Sequence, residues 1–467
     1  MEENRYRRLA SDILIFIIGT VLAKAIQFIL MPLYTTYMTT EAYGVAELTN
    51  NLSELFFPVA TLCIYEAAFR FAVDPEFDNN KLVTAISNVM VKSTIIGFVV
   101  ALIFKFIINY KYSFYLYFIL YAYSVRMCAA YYVRGKGHSR VFALSGVINA
   151  VSLSFFNVIF LVVLKSGEYG YLLSIGLSYC MSALYLIIRG KIASNAVLKA
   201  GSKGDLKVLY KYCLPLIYYN VLYWFTTISG RYLLLWFSDA STAGKYVAAI
   251  KIAAVINMTQ QAVYAAFQLN SSRAFTENNK EEYYTEITNL FIALYCTFGA
   301  IIVCCTPILA KFTLKNDFYT ARIYLPIIML AALINCISSL LGTMYSTYKK
   351  TQRMVGVSVV GAGINIFVGL VLTPFCGVWG ICIASFCCYF SQVVYKFIDI
   401  RKFCFIKFDW KIINLNIGLL ASQVFIMSIG IKYNLFIAIG FALILVFANY
   451  KYYYLPFKSL WVGKMNV

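Results

Sequence analysis

Charged side chains stand inside stretches of this chain that are otherwise apolar, and these are the residues whose types and spacing could do chemistry. An ionised side chain at mid-bilayer costs at least about 3 kcal/mol unless it faces protein or water, so each marks a candidate site. Thr20, Lys24, Gln27 and Met31 fall at i, i+4, i+7 and i+11, one face of a helix. Lys24 lies too deep along that helix for its stem to reach an interface easily. Glu47, Asn50, Asn51 and Glu54 repeat at 0, 3, 4 and 7 and form a second polar face, continued by Pro58 and Thr61. Glu66 and Arg70 are four apart, a spacing that permits an ion pair along one helix, either functional or purely structural.

Lys92, Lys105, Arg126, Arg231 and Lys251 are further cations in apolar segments. Lys105 and Lys251 lie near segment ends, where snorkelling is the alternative reading. The acids in such segments are Glu47, Glu54 and Glu66, so cations outnumber their possible partners. A cavity lined by both would carry excess positive charge and suit an anionic substrate. The candidate substrate-binding residues are therefore Lys24, Arg70, Arg126, Arg231 and Lys251. Glu54, Glu66, Asn50 and Asn51 are candidates for ion coupling or for counter-ions. A desolvated carboxylate beside amide oxygens could take a proton or a sodium ion, which points to an H+ or Na+ gradient as the energy source. A counter-ion to Lys24 is the equal alternative for Glu54.

The residues expect no cofactor and no metal. His138 is the only histidine, and the 13 cysteines show no CxxC spacing and read as small apolar fillers. Arg134-Gly135-Lys136-Gly137 lacks the strand, the glycine spacing and the Lys-Ser/Thr ending of a phosphate loop, and reads as a basic turn. No outside loop is long enough to fold as a domain and no catalytic constellation stands out, so the chain is not expected to be an enzyme.

The elements that must position these charges are helices in a bilayer. The chain is 61% hydrophobic with a mean hydropathy of +0.75. About 20 apolar residues cross a hydrocarbon core of about 30 Å. Segments of that length are expected at 11–36, 45–71, 82–109, 113–134, 140–164, 168–189, 208–237, 243–270, 284–310, 318–348, 354–374, 379–400, 412–431 and 434–455. The expected fold is thus an all-α polytopic membrane protein with about 14 transmembrane helices, because backbone groups in lipid must be satisfied within each segment. Most of the 40 Lys and Arg residues fall in alternate loops, Lys349 to Arg353 and Lys396 to Lys411 among them. That places both termini on the cytoplasmic side. The same bias explains the net charge of +20 without a nucleic-acid partner. The N-terminal segment reads as a retained start helix rather than a cleaved signal.

An internal echo organises the helices. Glu41-Ala-Tyr-Gly-Val through Glu66-Ala-Ala-Phe-Arg-Phe71 returns as Thr242-Ala-Gly-Lys-Tyr246 through Tyr264-Ala-Ala-Phe-Gln-Leu269. Two six-helix lobes of equal orientation follow, related by a parallel repeat about an axis along the membrane normal, with two C-terminal helices added. The expected division is 1–190 for the N-terminal lobe, 191–207 for a basic linker, 208–400 for the C-terminal lobe and 401–467 for the added helices and tail. The linker, with Lys199, Gly201, Ser202, Lys203 and Gly204, could touch anionic lipid heads. Pro215 is expected to bend the start of its helix, and Tyr218, Tyr219, Tyr223 and Trp224 cluster after it. Packing or an interfacial belt is the plain reading of these rings, with stacking on sugar faces the alternative.

Three stretches carry a family resemblance. They are Pro32-Leu-Tyr-Thr-Thr-Tyr37 with Glu41-Ala-Tyr-Gly44 and Glu66-Ala-Ala-Phe-Arg-Phe71; Tyr132-Val-Arg-Gly-Lys-Gly137; and Lys349-Lys-Thr-Gln352 through Gly361-Ala-Gly-Ile-Asn365 to Gly377-Val-Trp-Gly380. Over nearly its whole length the chain resembles the polysaccharide-transporting, Wzx-type branch of the multidrug/oligosaccharidyl-lipid/polysaccharide exporter superfamily. The resemblance implies a flippase that moves an undecaprenyl-pyrophosphate-linked oligosaccharide across the bacterial cytoplasmic membrane by alternating access, for O-antigen, capsule or exopolysaccharide assembly. It implies work alongside other polysaccharide assembly proteins, and charges gathered where helices 1, 2, 7 and 8 meet. The chain departs from symmetry there: the repeat partner of Arg70 falls near Gln268, and Asn257, Gln260 and Gln261 are neutral. A cation-coupled multidrug exporter of the same fold is the alternative.

Overall fold

The computed structural model describes residues 26, 28–74, 77–192, 203–254, 256, 260, 280–348, 350, 353–404, 407, 409–429, 434–450 and 452. All regular structure among them is helical, and the chain divides into two compact units, Met1–Ile228 and Ser229–Val467. Among the described residues eight helical segments are long and apolar enough to cross a membrane, and a ninth is added if a bent pair counts as one span. The protein is therefore an all-helical, multi-pass membrane protein.

The first unit comprises α1 (Met31–Tyr37), α2 (Thr40–Ala60), α3 (Ile64–Ala72), α4 (Asn79–Phe106), α5 (Ser113–Gly135), α6 (Ser139–Asn157) and α7 (Gly167–Arg189), with most of α8 (Lys203–Phe237). The segment expected as one crossing at 45–71 is two helices, α2 and α3, bent by 60°. Pro58 removes a backbone donor in the last turn of α2, and Leu62 and Cys63 then take φ of 50° and 53°, which ends the ladder. The carbonyl freed at Ala60 accepts the Ser93 hydroxyl of α4, and Tyr121 of α5 donates to Ser93 O at 2.6 Å. Below the break, Ala67 and Ala68 are fully buried in the core, and α3 packs on both α4 and α5.

The Arg134–Gly137 stretch is a helix terminus. A Cβ at Gly135 would lie 2.8 Å from the Phe69 carbonyl, so only glycine lets α5 end against α3. Gly137 has φ +78°, and the His138 N–H bonds the Val133 carbonyl at 3.1 Å, closing the helix. α6 passes into a π-helical turn at Val158–Val163 directly after Asn157. α8 runs without a break through Pro215.

The second unit holds the end of α8, then α9 (240–254), α10 (Lys280–Cys304), α11 (Thr306–Thr313), a 3-10 segment Asn316–Tyr324, α12 (Leu325–Thr347), α13 (Arg353–Cys376), α14 (Val378–Ile400), α15 (Trp410–Ile429) and α16 (Asn434–Ala448). α2 of the first unit and α9 of the second begin alike. Thr39 caps α2 by accepting the Ala42 N–H at 3.1 Å, and Asp239 caps α9 by accepting the Thr242 N–H at 2.6 Å. That bond holds the Asp239 carboxyl below the usual carboxylate range. α13 and α14 form a close hairpin whose turn uses Gly377 at φ +54°, and a Cβ at Gly380 would lie 2.7 Å from the Leu372 carbonyl oxygen. α15 and α16 are tied to α10 by buried amides. Asn416 and Asn449 exchange hydrogen bonds at 3.0 and 2.9 Å, and Gln423 donates to Ala300 O and Ala438 O, both at 3.0 Å.

Candidate functional site

Two clusters of buried charge stand out, one in each unit. In the first, the polar face of α2 is not uniform. Glu47 is 2% exposed and accepts the Tyr171 hydroxyl of α7. Tyr34, Tyr43 and Tyr171 close around it, with ring centroids 5.0 to 6.0 Å apart. Asn157, at the mouth of the π turn, donates to the Tyr34 hydroxyl at 3.0 Å. The cage has aromatic walls and the Tyr171 phenol as a donor to the carboxylate, while the Tyr43 hydroxyl donates to Met31 Sδ at 3.8 Å, so it can hold a carboxylate away from water.

Two turns along the same face Glu54 is exposed, whereas Asn51 is buried and accepts the Trp224 indole N–H of α8 at 3.1 Å through its carbonyl. Asn50 is half-buried. The charges of Glu54 and of Arg126 on α5 both reach the phenols of Tyr123 and Tyr179. Arg126 donates from Nε to Ser182 Oγ at 3.0 Å, its guanidinium lies 5.7 Å from the Tyr179 ring centre, and Ser182 in turn donates to Ser145 O at 2.8 Å. Neutral groups thus orient this cation. Glu66 is half-buried and makes no ion pair with Arg70, which is exposed; the opposite charge that reaches Glu66 is Arg134 of α5. The end of α3 therefore carries an exposed guanidinium, whose charge reaches the Tyr212 phenol, in place of the i, i+4 bridge that the spacing allowed. Lys92 is exposed and Lys105 half-buried, while Lys24 lies outside the described residues.

In the second unit Arg231 of α8 is half-buried and its charge reaches the Tyr246 phenol of α9. Lys251 is half-buried on α9. The repeat-partner position near Gln268, with Asn257 and Gln261, lies outside the described residues; Gln260 accepts the Cys336 thiol at 3.5 Å.

The more unexpected feature is on α14. Lys396, placed by the loop count among cytoplasmic cations, is only 6% exposed and sits inside the helix. Its ammonium donates to the carbonyl and the hydroxyl of Ser338 on α12, both at 2.8 Å. Ser338 Oγ also meets Gln392 Oε1 at 3.2 Å. A Cβ at Gly342 would lie 3.6 Å from the ammonium, an ordinary van der Waals contact. Asp399, one turn on and 5% exposed, is claimed by Arg353 at 2.8 Å, Lys402 at 3.1 Å and the Tyr345 hydroxyl at 3.2 Å. Among the described residues Lys396 thus has no carboxylate within ion-pair distance. Sequence reading missed Lys396 and Asp399 because they fell at a segment edge. The signal was there, since Gln392, Lys396 and Asp399 repeat at 0, 4 and 7.

Among the described residues no group of three His, Cys, Asp or Glu side chains could hold a metal ion. The described side chains offer buried or oriented charges of both signs on helices.

A family model described as MatE matches residues 215–371. No protein of curated function matches the chain. Among solved structures the chain is similar to one described as the lipid II flippase MurJ in an inward closed conformation, with a TM-score of 0.64 and 11% identity over 97% of this chain and 100% of that one. It is similar to the MATE multidrug transporter DinF-BH, with a TM-score of 0.57 and 15% identity over 85% of this chain and 95% of that one. It is also similar to a MOP superfamily transporter from Pyrococcus furiosus, described as having a binding pocket of reverse polarity, with a TM-score of 0.54 and 13% identity over 84% and 95%. At such identities the likeness is one of fold, and the fold is that of multi-pass transporters and a flippase.

Proposed function

We propose that the chain is a flippase that carries an undecaprenyl-pyrophosphate-linked oligosaccharide across the bacterial cytoplasmic membrane by alternating access, with both termini cytoplasmic and the product passed to polysaccharide assembly proteins. The observation that carries this reading is Arg126. A guanidinium held by a serine and an aromatic face keeps its charge for an anionic guest, and pyrophosphate is such a guest. Arg70 is exposed and makes no ion pair with Glu66, Arg231 and Lys251 are half-buried cations of the second unit, and Lys24 is a further cation in the sequence. The fold likeness to a lipid II flippase supports the substrate class. Glu54 with Asn50, Asn51 and Glu66 supplies the coupling or counter-ion groups for an H+ or Na+ gradient.

Glu54 favours a second reading. An exposed carboxylate whose charge reaches two tyrosine rings suits an organic cation, as a drug exporter of this fold would need. One experiment separates the two. Purified protein in liposomes is given a fluorescent undecaprenyl-pyrophosphate oligosaccharide, and its arrival in the distal leaflet is followed. The flippase reading expects transport by wild type and a loss of at least about tenfold in Arg126→Ala and Arg231→Ala, the scale of one charge-assisted contact. Wild type that ignores this lipid but moves an organic cation dye overturns it.

A further inference from the structure

The second unit carries an apolar groove apart from Arg231 and Lys251. It has a volume of about 240 Å³ and runs between α12, α14 and α15, lined by Ile337, Val394, Phe397 and Ile417 with Arg401 and Trp410 at one end. All three helices lie in segments long and apolar enough to cross a membrane. Side chains on its lip are open, with Ile398 at 62% and Val394 at 40%, so the groove faces what surrounds the helices.

Its charged end is built. α14 stops at Ile400 and α15 starts at Trp410, so this end marks one membrane interface, where tryptophan and arginine anchor. The Phe397 and Trp410 rings lie 5.2 Å apart, and the Arg401 guanidinium lies 5.7 Å from the Trp410 ring centre. Stacked in this way, the guanidinium keeps its N–H edges free for a planar or tetrahedral oxyanion. The connection is docked on α10. The Lys407 N–H donates to Thr285 Oγ1 at 3.1 Å, and Asn289 Nδ2 donates to the Lys407 carbonyl at 3.0 Å.

Charge balance names the occupant. Asp399 holds Arg353 and Lys402, and Asp409 accepts the Tyr452 hydroxyl at 2.7 Å, while Glu281 and Glu286 of α10 are exposed and stand in no ion pair with Arg401, Lys407 or Lys411 among the described residues. Arg401, Lys407 and Lys411 are exposed and have no carboxylate partner among the described residues. We propose that the groove is a binding site for an anionic phospholipid, one acyl chain lying along α14 and α15 and the phosphodiester held by Arg401 with Lys407 and Lys411 beside it. An apolar slot at membrane depth takes the chain, and three unmatched cations at the interface select an acidic head over a zwitterionic one.

The test uses the full chain in lipid nanodiscs and the fluorescence of Trp410. Brominated phosphatidylglycerol and brominated phosphatidylcholine are compared as quenchers at equal mole fraction. Phosphatidylglycerol should quench more strongly, and Trp410→Phe should remove that extra component, which assigns it among the five tryptophans. Arg401→Gln and Lys411→Gln should each weaken the preference by about fivefold, the worth of one interfacial cation. Both side chains are exposed, so a circular dichroism spectrum like that of wild type is expected to accompany the loss. Equal quenching by the two lipids, or a preference that survives the double substitution, overturns the site.

Discussion

Glu47 in the first unit and Lys396 in the second are both almost fully buried on membrane helices, yet they are accommodated in different ways. Glu47 is enclosed by three tyrosines, and a phenol donates to it. Lys396 is held by one serine, while the acid one turn away serves other cations. The acid therefore depends on a donor whose loss leaves a buried acceptor short of a partner. The base depends on little, and its removal would strand only acceptors that have other partners. A buried charge is thus not one kind of feature, and its consequence follows from what its neighbours lose without it.

The comparison can be broken most directly at the acid. Tyr171→Phe should destabilise the protein by about 3 kcal/mol, because the carboxylate of Glu47 loses its phenol donor in a site closed to water. The midpoint of thermal unfolding in detergent measures this, and an unchanged midpoint would mean that water or another donor takes over. At the base the sign should reverse. Lys396→Met keeps the length of the side chain and removes a buried ammonium, so stability should hold or rise by about 1 kcal/mol or more. A fall in stability, or transport lost with stability intact, would show that the ammonium has work in the cycle.

The smallest effect sharpens the repeat. Thr39→Ala and Asp239→Ala each remove an N-cap and should cost about 1 kcal/mol. Only the second should depend on pH. The Asp239 carboxyl is held below its ordinary value of 3.8, so its contribution is present above that pH and is lost as the pH falls through the lowered folded value. Stability curves for the two variants that run parallel to each other at acid pH would remove the distinction.

Much of the fold could be read from period and length. The polar face at Glu47, Asn50, Asn51 and Glu54 is a helical spacing, and the structure puts all four on α2. Which of them is sealed could not be read, because the donor to Glu47 is Tyr171, far away in the chain on α7. The Glu66 and Arg70 spacing allowed a pair, but Arg134 arrives from α5 and Arg70 turns outward. Lys396 lies within the expected segment 379–400 but at its edge, where it counts equally as a cytoplasmic cation, and its burial depends on Ser338 of α12. The bend at Thr61 to Cys63 had a local sign in Pro58, though a proline alone does not say that two residues will follow in the left-handed region.

By itself the sequence determined that this is an all-helical membrane protein, because apolar runs of this length leave the backbone no other way to satisfy its hydrogen bonds in lipid. It also determined which faces are polar, since that depends only on residue spacing along a helix. Tertiary structure alone decided which charges are caged, paired or left open. Partners such as Tyr171 for Glu47, Ser338 for Lys396 and Ser182 for Arg126 come from other helices, and only packing brings them within hydrogen-bond reach.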